Sequence, residues 1–438
     1  MKYHLITFGC QMNKSDSERI AARLQNIGYE KTTDIKQSDL IIVNMCSVRQ
    51  SAVDRVYGLA NQFLELKKKN VQFKVGLTGC LLNQDRKKME KFFDFIFNIK
   101  DLNNLEKIIL QQKIDFEKSP QDYLSLLPKI NSKISAFVPI MTGCNNFCSY
   151  CVVPYTRGRE FSRPEQEIIK EVKSLIKKGF LEIILLGQNV NSYHQNIKTL
   201  RHKNKAINFP KLLQMIDNFS ENFWLTFLTS HPKDLSDELI KVMAQSKKII
   251  KYLHLPVQSG DNEILKKMNR HYTVQDYKNL IKKIRKKIPG ITISTDIIVG
   301  FPGETKKQFK NTARLLKKIK FDQVYIAQYS PRAGTKAALI KDDVLKEEKH
   351  QREKTLNKIL EKTALKNNKK LIGQTLEILV KNCKNNQYYG QTKNFKNVKI
   401  NLEKSNKAEL FFPQPKIGQF VKAKIIKATP WGLEGIIN

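Results

Sequence analysis

The stretch "AFVPIMTGCNNFCSYC" (residues 136–151) joins a strand-like apolar run to three cysteines spaced C-x3-C-x2-C. Structural zinc needs four ligands, usually two C-x2-4-C pairs or a Cys pair with a His pair. No cysteine or histidine follows within the next forty residues, and three thiols cannot pair off as disulfides. The spacing therefore predicts a cubane iron–sulfur cluster with one iron open to a non-protein ligand. A chance grouping of cysteines is the alternative.

Upstream of this stretch, residues 1–118 alternate between predicted strands and helices. A helix is predicted over 15–29, with Ser15 and Glu18 as a capping box and Gly28 at its end, and another over 48–69. The strand-like runs are "HLITFGC" (4–10), "SDLIIVNMC" (38–46) and "FKVGLTGC" (73–80). This alternation predicts an open parallel sheet with crossover helices.

Each of these strands ends in a cysteine: Cys10, Cys46 and Cys80. The carboxyl ends of parallel strands meet at one edge of an open sheet, where ligands bind. The three thiols are thus predicted to form a second three-cysteine cluster site. Three ordinary buried cysteines are the alternative.

Downstream, a polar segment at 119–134 reads as a linker, and six strand candidates then alternate with helical patterns. A helix over 164–179 has Pro164 near its start and Gly179 at its end. The six runs are "AFVPIMT" (136–142), "LEIILLG" (181–187), "FWLTFLT" (223–229), "KYLHLPV" (251–257), "ITISTDIIVG" (291–300) and "FDQVYIAQYS" (321–330). They predict a partial (β/α)6 barrel whose active face is at the strand carboxyl ends, directly before the three cysteines. A charged helix at 343–370 is expected to cover the barrel.

The tail from Ile372 consists of short β runs and predicts a small β-barrel. The runs are "TLEILVK" (375–381), "QYYGQT" (387–392), "NVKINL" (397–402), "AELFF" (408–412) and "FVKAKIIKAT" (420–429). Residues 371–438 hold eleven Lys, four Glu and no Asp or Arg, as an oligonucleotide-binding barrel would. Tyr388, Tyr389 and Phe395 are candidate base-stacking platforms. A tail that only packs on the enzyme, with aromatics in its core, is the alternative.

The whole chain of 438 residues carries a formal charge of +37. Such an excess favours a polyanionic partner, nucleic acid first, although a general lysine bias of the source proteome is an alternative explanation. The apolar runs are strand-sized, the start "MKYHLITFGC" lacks the pattern of a signal peptide, and cysteines are few. We therefore expect a protein of the reducing cytoplasm without a membrane span.

The chain resembles the radical S-adenosylmethionine (SAM) methylthiotransferase family over essentially its full length. The resemblance rests on "TFGCQMN" (7–13), "GCNNFCSYCVVPYTRGRE" (143–160), "LLGQNVNSY" (185–193), "HLPVQSG" (254–260), "TDIIVGFPGET" (295–305) and "YSPRAGTKAA" (329–338). It implies an N-terminal cluster-binding domain at 1–118, a radical SAM domain at 130–370 and an RNA-binding TRAM domain at 371–438. "TFGCQMN" and "CVVPYTRG" are most similar to the branch that modifies N(6)-dimethylallyladenosine in tRNA.

The resemblance implies two 4Fe–4S clusters, one on Cys144, Cys148 and Cys151 and an auxiliary one on the three upstream cysteines. SAM on the open iron of the first would yield a 5′-deoxyadenosyl radical, and the second would deliver sulfur. The expected product is the 2-methylthio derivative of N(6)-dimethylallyladenosine at tRNA position 37. Because the cofactors carry the chemistry, no Ser–His or paired-carboxylate site is expected.

Candidate SAM contacts follow the second and fifth barrel strands, where radical SAM enzymes usually hold the cofactor. They are Gly187, Gln188, Asn189, Asp296 and Gly300. Arg157 and Arg159 are candidates for binding phosphate or the SAM carboxylate, since arginine suits planar bidentate contacts. Ordinary barrel structure and plain salt bridges are the alternatives.

The implied partners are the tRNA anticodon stem-loop, an electron donor such as flavodoxin or ferredoxin, and a sulfur donor, with the enzyme as a monomer. Two alternatives stay within the family: a threonylcarbamoyl-adenosine tRNA or a ribosomal protein as substrate. A non-enzymatic iron–sulfur RNA-binding protein is the alternative from another class.

Overall fold

The computed structural model describes residues 1–48, 50–113, 122–199, 202–402 and 414–437. The first part, the sheet module, is a five-stranded parallel sheet in the order β2-β1-β3-β4-β5. Its elements are β1 Lys2–Thr7, α1 Gln11–Asn26, β2 Glu30–Lys31, β3 Leu40–Cys46, α2 Gln50–Lys69, β4 Lys74–Cys80, α3 Asn83–Met89, β5 Phe95–Ile96 and α4 Leu105–Ile109. The central strand β3 is buried at every position, as a strand covered on both faces requires.

The predicted capping box at the first helix is wrong. Helix α1 begins four residues before Ser15, with Cys10 as its N-cap residue, and Ser15 and Glu18 are both buried inside the helix. Ser15 Oγ instead accepts a hydrogen bond from the guanidinium of Arg19 (2.8 Å). The polar residues are buried because α1 packs against the next module. The predicted end is confirmed, since Gly28 follows the helix with a φ of +89°.

The second part, the barrel module, contains the six predicted parallel strands. Its elements are β6 Ser135–Pro139, β7 Met141–Thr142, α5 Val153–Thr156, β8 Phe161–Ser162, α6 Glu165–Lys177, β9 Glu182–Leu186, β10 His194–Thr199, β11 His202–Asn208, α7 Phe209–Asp217, β12 Trp224–Phe227, α8 Asp237–Gln245, β13 Tyr252–His254, α9 Asn262–Lys267, α10 Val274–Lys287, β14 Thr292–Val299, α11 Lys306–Ile319, β15 Gln323–Gln328 and α12 Lys346–Lys369. The sheets β6-β9-β12 and β13-β14-β15 meet through a parallel bridge between Leu225 and Ile249. The result is the predicted open (β/α)6 barrel.

The long helix α12 packs on β15 and α11, which confirms that it covers the barrel. Its buried positions recur every three or four residues, as one helix face requires: Lys349, Arg352, Leu356, Leu360, Ala364 and Asn368. Arg352 pairs with the buried carboxylate of Glu304 (2.7 Å), so the helix is tied to the segment after β14.

The third part, the tail barrel, is a closed five-stranded barrel in the order β16-β17-β18-β20-β19. Its strands are β16 Thr375–Lys384, β17 Gln387–Thr392, β18 Asn397–Leu402, β19 Phe420–Ala428 and β20 Leu433–Ile437. Four of them match predicted runs. The predicted run at 408–412 lies outside the described residues, and the strand that closes the barrel, β20, was not predicted.

The tail barrel docks on the amino-terminal ends of the barrel strands. Phe395 stacks on Tyr252, the first residue of β13, with ring centroids 4.1 Å apart. Phe420 packs on Trp224, the first residue of β12. Lys381 forms an ion pair with Glu182, the first residue of β9 (2.8 Å). The tail barrel and the three cysteines of residues 143–151 therefore lie at opposite ends of the six strands.

The predicted linker contains buried residues. Tyr123 and Leu124 are fully buried and belong to the core of the sheet module. No helix in the described parts of the chain is long and apolar enough to cross a bilayer.

Candidate iron–sulfur and SAM site

The cluster loop, residues 143–151, follows β7 and depends on a glycine at its start. Gly143 has a φ of +78°, and a Cβ there would lie 2.1 Å from the carbonyl oxygen of Arg159. This close approach lets the amide of Cys144 donate to the carbonyl of Gly158 (3.2 Å). The glycine thereby lets the two arms of the loop pack together and fixes the direction of the first thiol.

Two residues after α9 hold the loop from the other side. Asn269 Nδ2 donates to the carbonyls of Asn146 (3.2 Å) and Phe147 (3.0 Å). The buried guanidinium of Arg270 donates to Cys148 Sγ (3.4 Å) and to the carbonyl of Pro256 (2.7 Å). Cys148 thus has a cationic hydrogen-bond donor beside its sulfur.

The barrel cysteine site, Cys144, Cys148 and Cys151, fits a cluster better than a single ion. Burial raises the pKa of Cys144 and brings that of Cys151 to about 12, so their thiolates need a cation such as iron beside them. In the described residues, no three His, Cys, Asp or Glu side chains converge as ligands of one metal ion. In a cubane cluster the three thiolates bind three different irons, so they lie farther apart than the ligands of a single metal ion.

The sheet cysteine site is formed by Cys10, Cys46 and Cys80 at the ends of adjacent strands. Cys46 and Cys80 are paired across β3 and β4, and Cys10 precedes α1. The thiols of Cys10 and Cys80 both donate to Asn13 Oδ1 (3.8 and 3.6 Å). A hydrogen bond between the Cys46 and Cys80 thiols lowers the pKa of Cys46 and raises that of Cys80. Cys80 thus contacts Cys46 as well as the amide group that Cys10 contacts, and this grouping of three thiols suits a three-cysteine cluster site.

Arg157 does not lie where a phosphate or the SAM carboxylate could reach it. Its side chain is 1% exposed and donates to Cys80 Sγ (2.9 Å) and Asp16 Oδ2 (2.6 Å). Arg159 is exposed and stacks over the ring of Phe147, 4.4 Å from its centroid. The sequence-based hypothesis of an anion site at Arg157 is therefore wrong, and a buried ion pair takes its place.

A cavity of about 570 Å³ opens at the carboxyl ends of β14 and β15. It is lined by Cys151, Asp296 and Gln258 from the barrel module and by Val48 of the sheet module. Asp296 Oδ2 lies 3.3 Å from His254 Nε2. The cavity thus joins one barrel thiol to the loop that follows Cys46.

The five predicted SAM contacts fall into two groups. The first group has polar side chains, and of these Asp296 lines the cavity. Gln188 and Asn189 follow β9, and each has a buried side-chain oxygen without a hydrogen-bond partner among the described residues. Gly187 packs on Met141, where a Cβ would lie 2.5 Å from Cγ, and Gly300 packs under Lys349 at 2.3 Å. The two glycines serve close packing, whereas the orphan oxygens fit the ammonium group of a bound SAM.

Sequence reasoning missed three residues at this site: Arg270, Gln258 and Asn13. Gln258 has a φ of +70° and a buried Oε1 without a partner among the described residues, and it faces the cavity. It lies in the stretch "HLPVQSG" that carried the family resemblance, which was the available signal. Asn13 lies in "TFGCQMN", another stretch of that resemblance, three residues after Cys10. Arg270 acts on Cys148, 122 residues away in the chain, and no local pattern marks it.

The three tail aromatics have different environments. Phe395 belongs to the docking contact and so is unavailable as a base platform. Tyr388 donates to Gln414 Oε1 (2.9 Å). Tyr389 is 39% exposed and lines a groove of about 510 Å³ together with the exposed Trp431. Among the described residues of the tail barrel, Tyr389 and Trp431 are therefore aromatic side chains that a ligand in this groove can contact.

Three family profiles match successive parts of the chain. They are the Uncharacterized protein family UPF0004 at 2–98, the Radical SAM superfamily at 138–316 and the TRAM domain at 369–437. The fold and the cysteine loop after its first barrel strands thus define a radical SAM enzyme.

Similar full-length proteins narrow this class. A tRNA-2-methylthio-N(6)-dimethylallyladenosine synthase of Caldicellulosiruptor saccharolyticus is 42% identical, over 99% of this chain and 92% of the relative. Synthases of the same name from Clostridium novyi and Carboxydothermus hydrogenoformans are 42% and 40% identical, over 100% and 99% of this chain. The chain belongs to the family of tRNA-2-methylthio-N(6)-dimethylallyladenosine synthases.

Solved structures share the fold at low identity. The radical S-adenosylmethionine methyltransferase TsrM from Kitasatospora setae has a TM-score of 0.55 at 14% identity, covering 77% of each chain. The cobalamin-dependent S-adenosylmethionine radical enzyme OxsB has a TM-score of 0.51 at 11% identity, covering 82% of this chain and 56% of that one. Both likenesses concern the fold alone.

Proposed function

We propose that this enzyme adds a methylthio group to N(6)-dimethylallyladenosine beside the anticodon of tRNA, at position 37. Full-length similarity to synthases of that name supports the substrate. The observation that carries the proposal is the cavity lined by Cys151 on one side and by Val48, two residues after Cys46, on the other. A base held there lies between Cys151 of the barrel site and the loop that follows Cys46 of the sheet site, as hydrogen removal and sulfur addition at one carbon require.

We propose two 4Fe–4S clusters, one held by the barrel cysteine site and an auxiliary one held by the sheet cysteine site. When bound, the first activates SAM to give a radical able to take hydrogen from an unactivated C–H, and the second supplies sulfur. The chain's own part is to position these groups. Asn269 and Arg270 hold the barrel loop, and Asn13 lies among the sheet thiols.

The SAM contacts are proposed from the orphan polar groups around the barrel mouth. Gln188 and Asn189 offer buried oxygens to the ammonium group, and Asp296 faces the cavity. Gly187 and Gly300 keep the adjoining backbone close-packed, so their part is to fix the walls of the SAM site.

The division of the chain at 1–118, 130–370 and 371–438 stays part of the proposal, as does a monomeric cytoplasmic enzyme. The tail barrel would bind the anticodon stem-loop, while a flavodoxin or ferredoxin would supply electrons and a separate donor would replace the sulfur. The +37 charge supports the RNA partner, because lysines that neutralise phosphates release counterions.

The test is anaerobic turnover with tRNA that carries N(6)-dimethylallyladenosine, followed by mass spectrometry of the nucleosides. Cys80→Ala should still release 5′-deoxyadenosine but form no methylthio product, whereas Cys144→Ala should release neither. Cys383→Ala is the matched control, because this cysteine is exposed on the tail barrel, and it should behave as wild type. Methylthio product from Cys80→Ala would contradict the proposal.

A further inference from the structure

Arg157 belongs to the barrel module, yet its guanidinium lies in the sheet cysteine site. Nε donates to Cys80 Sγ (2.9 Å), and Nη1 donates to the hydroxyl of the buried Tyr123 (3.3 Å). Nη2 donates to Asn13 Oδ1 (3.2 Å) and Asp16 Oδ2 (2.6 Å). Each nitrogen of the planar guanidinium thus has a buried hydrogen-bond partner. One of these partners is the sulfur of Cys80, a proposed iron ligand of the sheet cysteine site.

The charge of this guanidinium is balanced within the protein. Asp16 and Arg157 are 0% and 1% exposed and form a buried ion pair. Such a pair contributes little net stability, but it holds its members in one geometry, and losing either partner leaves a buried charge. What Arg157 offers the thiolate is therefore a fixed N–H donor, with its positive charge already compensated by Asp16.

The same loop also contacts the barrel cysteine site. The carbonyl of Gly158 accepts from the amide of Cys144 (3.2 Å), and the carbonyl of Arg159 covers Gly143. The side chain of Arg157 thereby contacts Cys80 of the sheet cysteine site, and the carbonyl of Gly158 contacts Cys144 of the barrel cysteine site. The two sites share this single short piece of backbone.

We propose that Arg157 is a positioning residue that tunes the auxiliary cluster through its N–H donor to Cys80 and ties that cluster to the barrel loop. Hydrogen bonds to cluster sulfurs favour the more negatively charged reduced state, so this donor raises the reduction potential of the cluster. The inference rests on the proposed function, because it needs a cluster at the sheet site.

The test uses the full chain with Cys144, Cys148 and Cys151 changed to Ala, so that one cluster site remains. Into this background go Arg157→Lys, which keeps a cation for Asp16, and the double variant D16N/R157M, which removes the donor without leaving a buried charge. Arg159→Gln is the matched control, because Arg159 is exposed, two residues along the same loop. The readouts are iron per chain after anaerobic reconstitution and the midpoint potential from a redox titration followed by electron paramagnetic resonance.

The expected result is about four iron per chain in every variant. The potential should be lowest in D16N/R157M, intermediate in Arg157→Lys and unchanged in Arg159→Gln. Equal potentials in all variants would overturn the inference alone. A folded D16N/R157M variant without iron would also overturn it, since Arg157 would then shape the site and not tune the cluster. A background that holds no iron would overturn the two-cluster proposal, and this inference with it.

Discussion

Replacing Gly143 by alanine should remove the barrel cluster while leaving the auxiliary one. The substitution forces a φ of +78° on a residue with a Cβ, which costs about 1–2 kcal/mol. The new Cβ would lie 2.1 Å from one backbone carbonyl oxygen, so the loop must move and the Cys144–Gly158 hydrogen bond breaks, for about 1 kcal/mol more. The expected loss is about 2–3 kcal/mol in the iron-free protein, with Cys144 displaced from its place.

Two measurements follow this change: the midpoint of urea denaturation without iron, and iron per chain after anaerobic reconstitution. Gly179→Ala is the matched control, since Gly179 has a φ of +86° but nothing within 4 Å of the new Cβ. It should lose stability from backbone strain alone and retain about eight iron, against about four for Gly143→Ala. Full iron content in Gly143→Ala would refute the reasoning that this close approach sets the cluster loop.

Three further outcomes are expected. Burial raises the pKa of Glu18 to about 7 from an ordinary 4.5, so the folded chain keeps a proton that the unfolded chain releases. Stability of the iron-free protein should therefore fall as the pH rises from about 5 to about 7, and Glu18→Gln should remove that dependence in denaturation curves. Arg352→Leu should cost about 3–5 kcal/mol in thermal unfolding, because it leaves Glu304 buried and unpaired. Changing the exposed Lys422 and Lys424 of β19 to Glu should weaken tRNA binding and flatten its salt dependence.

Each of these has its own control. A pH dependence that survives Glu18→Gln would assign the effect to another group. The double change of Arg352→Leu with Glu304→Gln should recover most of the loss, and a failure to recover would point to lost packing by the arginine stem. For the tail barrel, Lys317 and Lys318 of α11 are exposed and give the same charge change at another place. If their replacement weakens tRNA binding equally, the effect comes from net charge and not from β19.

The strands that carry cysteines were predictable because their apolar runs are long and each ends at a turn. Cys46 and Cys80 were expected at one sheet edge, and the structure pairs them directly across β3 and β4. Parallel pairing of consecutive strands follows from alternation with helices, so the positions of the thiols follow from simple topology.

What could not be predicted depends on partners distant in the chain. Arg157 and Asp16 are 141 residues apart, and nothing near "YTRGRE" distinguishes a buried arginine from one that faces an anion. Phe395 reads like an exposed aromatic in a turn, yet it stacks on Tyr252 of another module. Strand β20 has only five residues, one of them a glycine. So short and irregular a run does not give a recognisable strand pattern in the sequence.

The docking of the tail barrel has a geometric consequence for the RNA. The tail barrel contacts the first residues of β9, β12 and β13, whereas the barrel cysteine site follows β6 and β7 at the carboxyl end of the barrel strands. At about 3.3 Å per residue, the eight residues of β14 separate the two ends by roughly 26 Å. An RNA that engages both must run along the flank of the barrel. If the tail barrel binds the stem as proposed, this separation sets the distance at which a base can reach the barrel cysteine site.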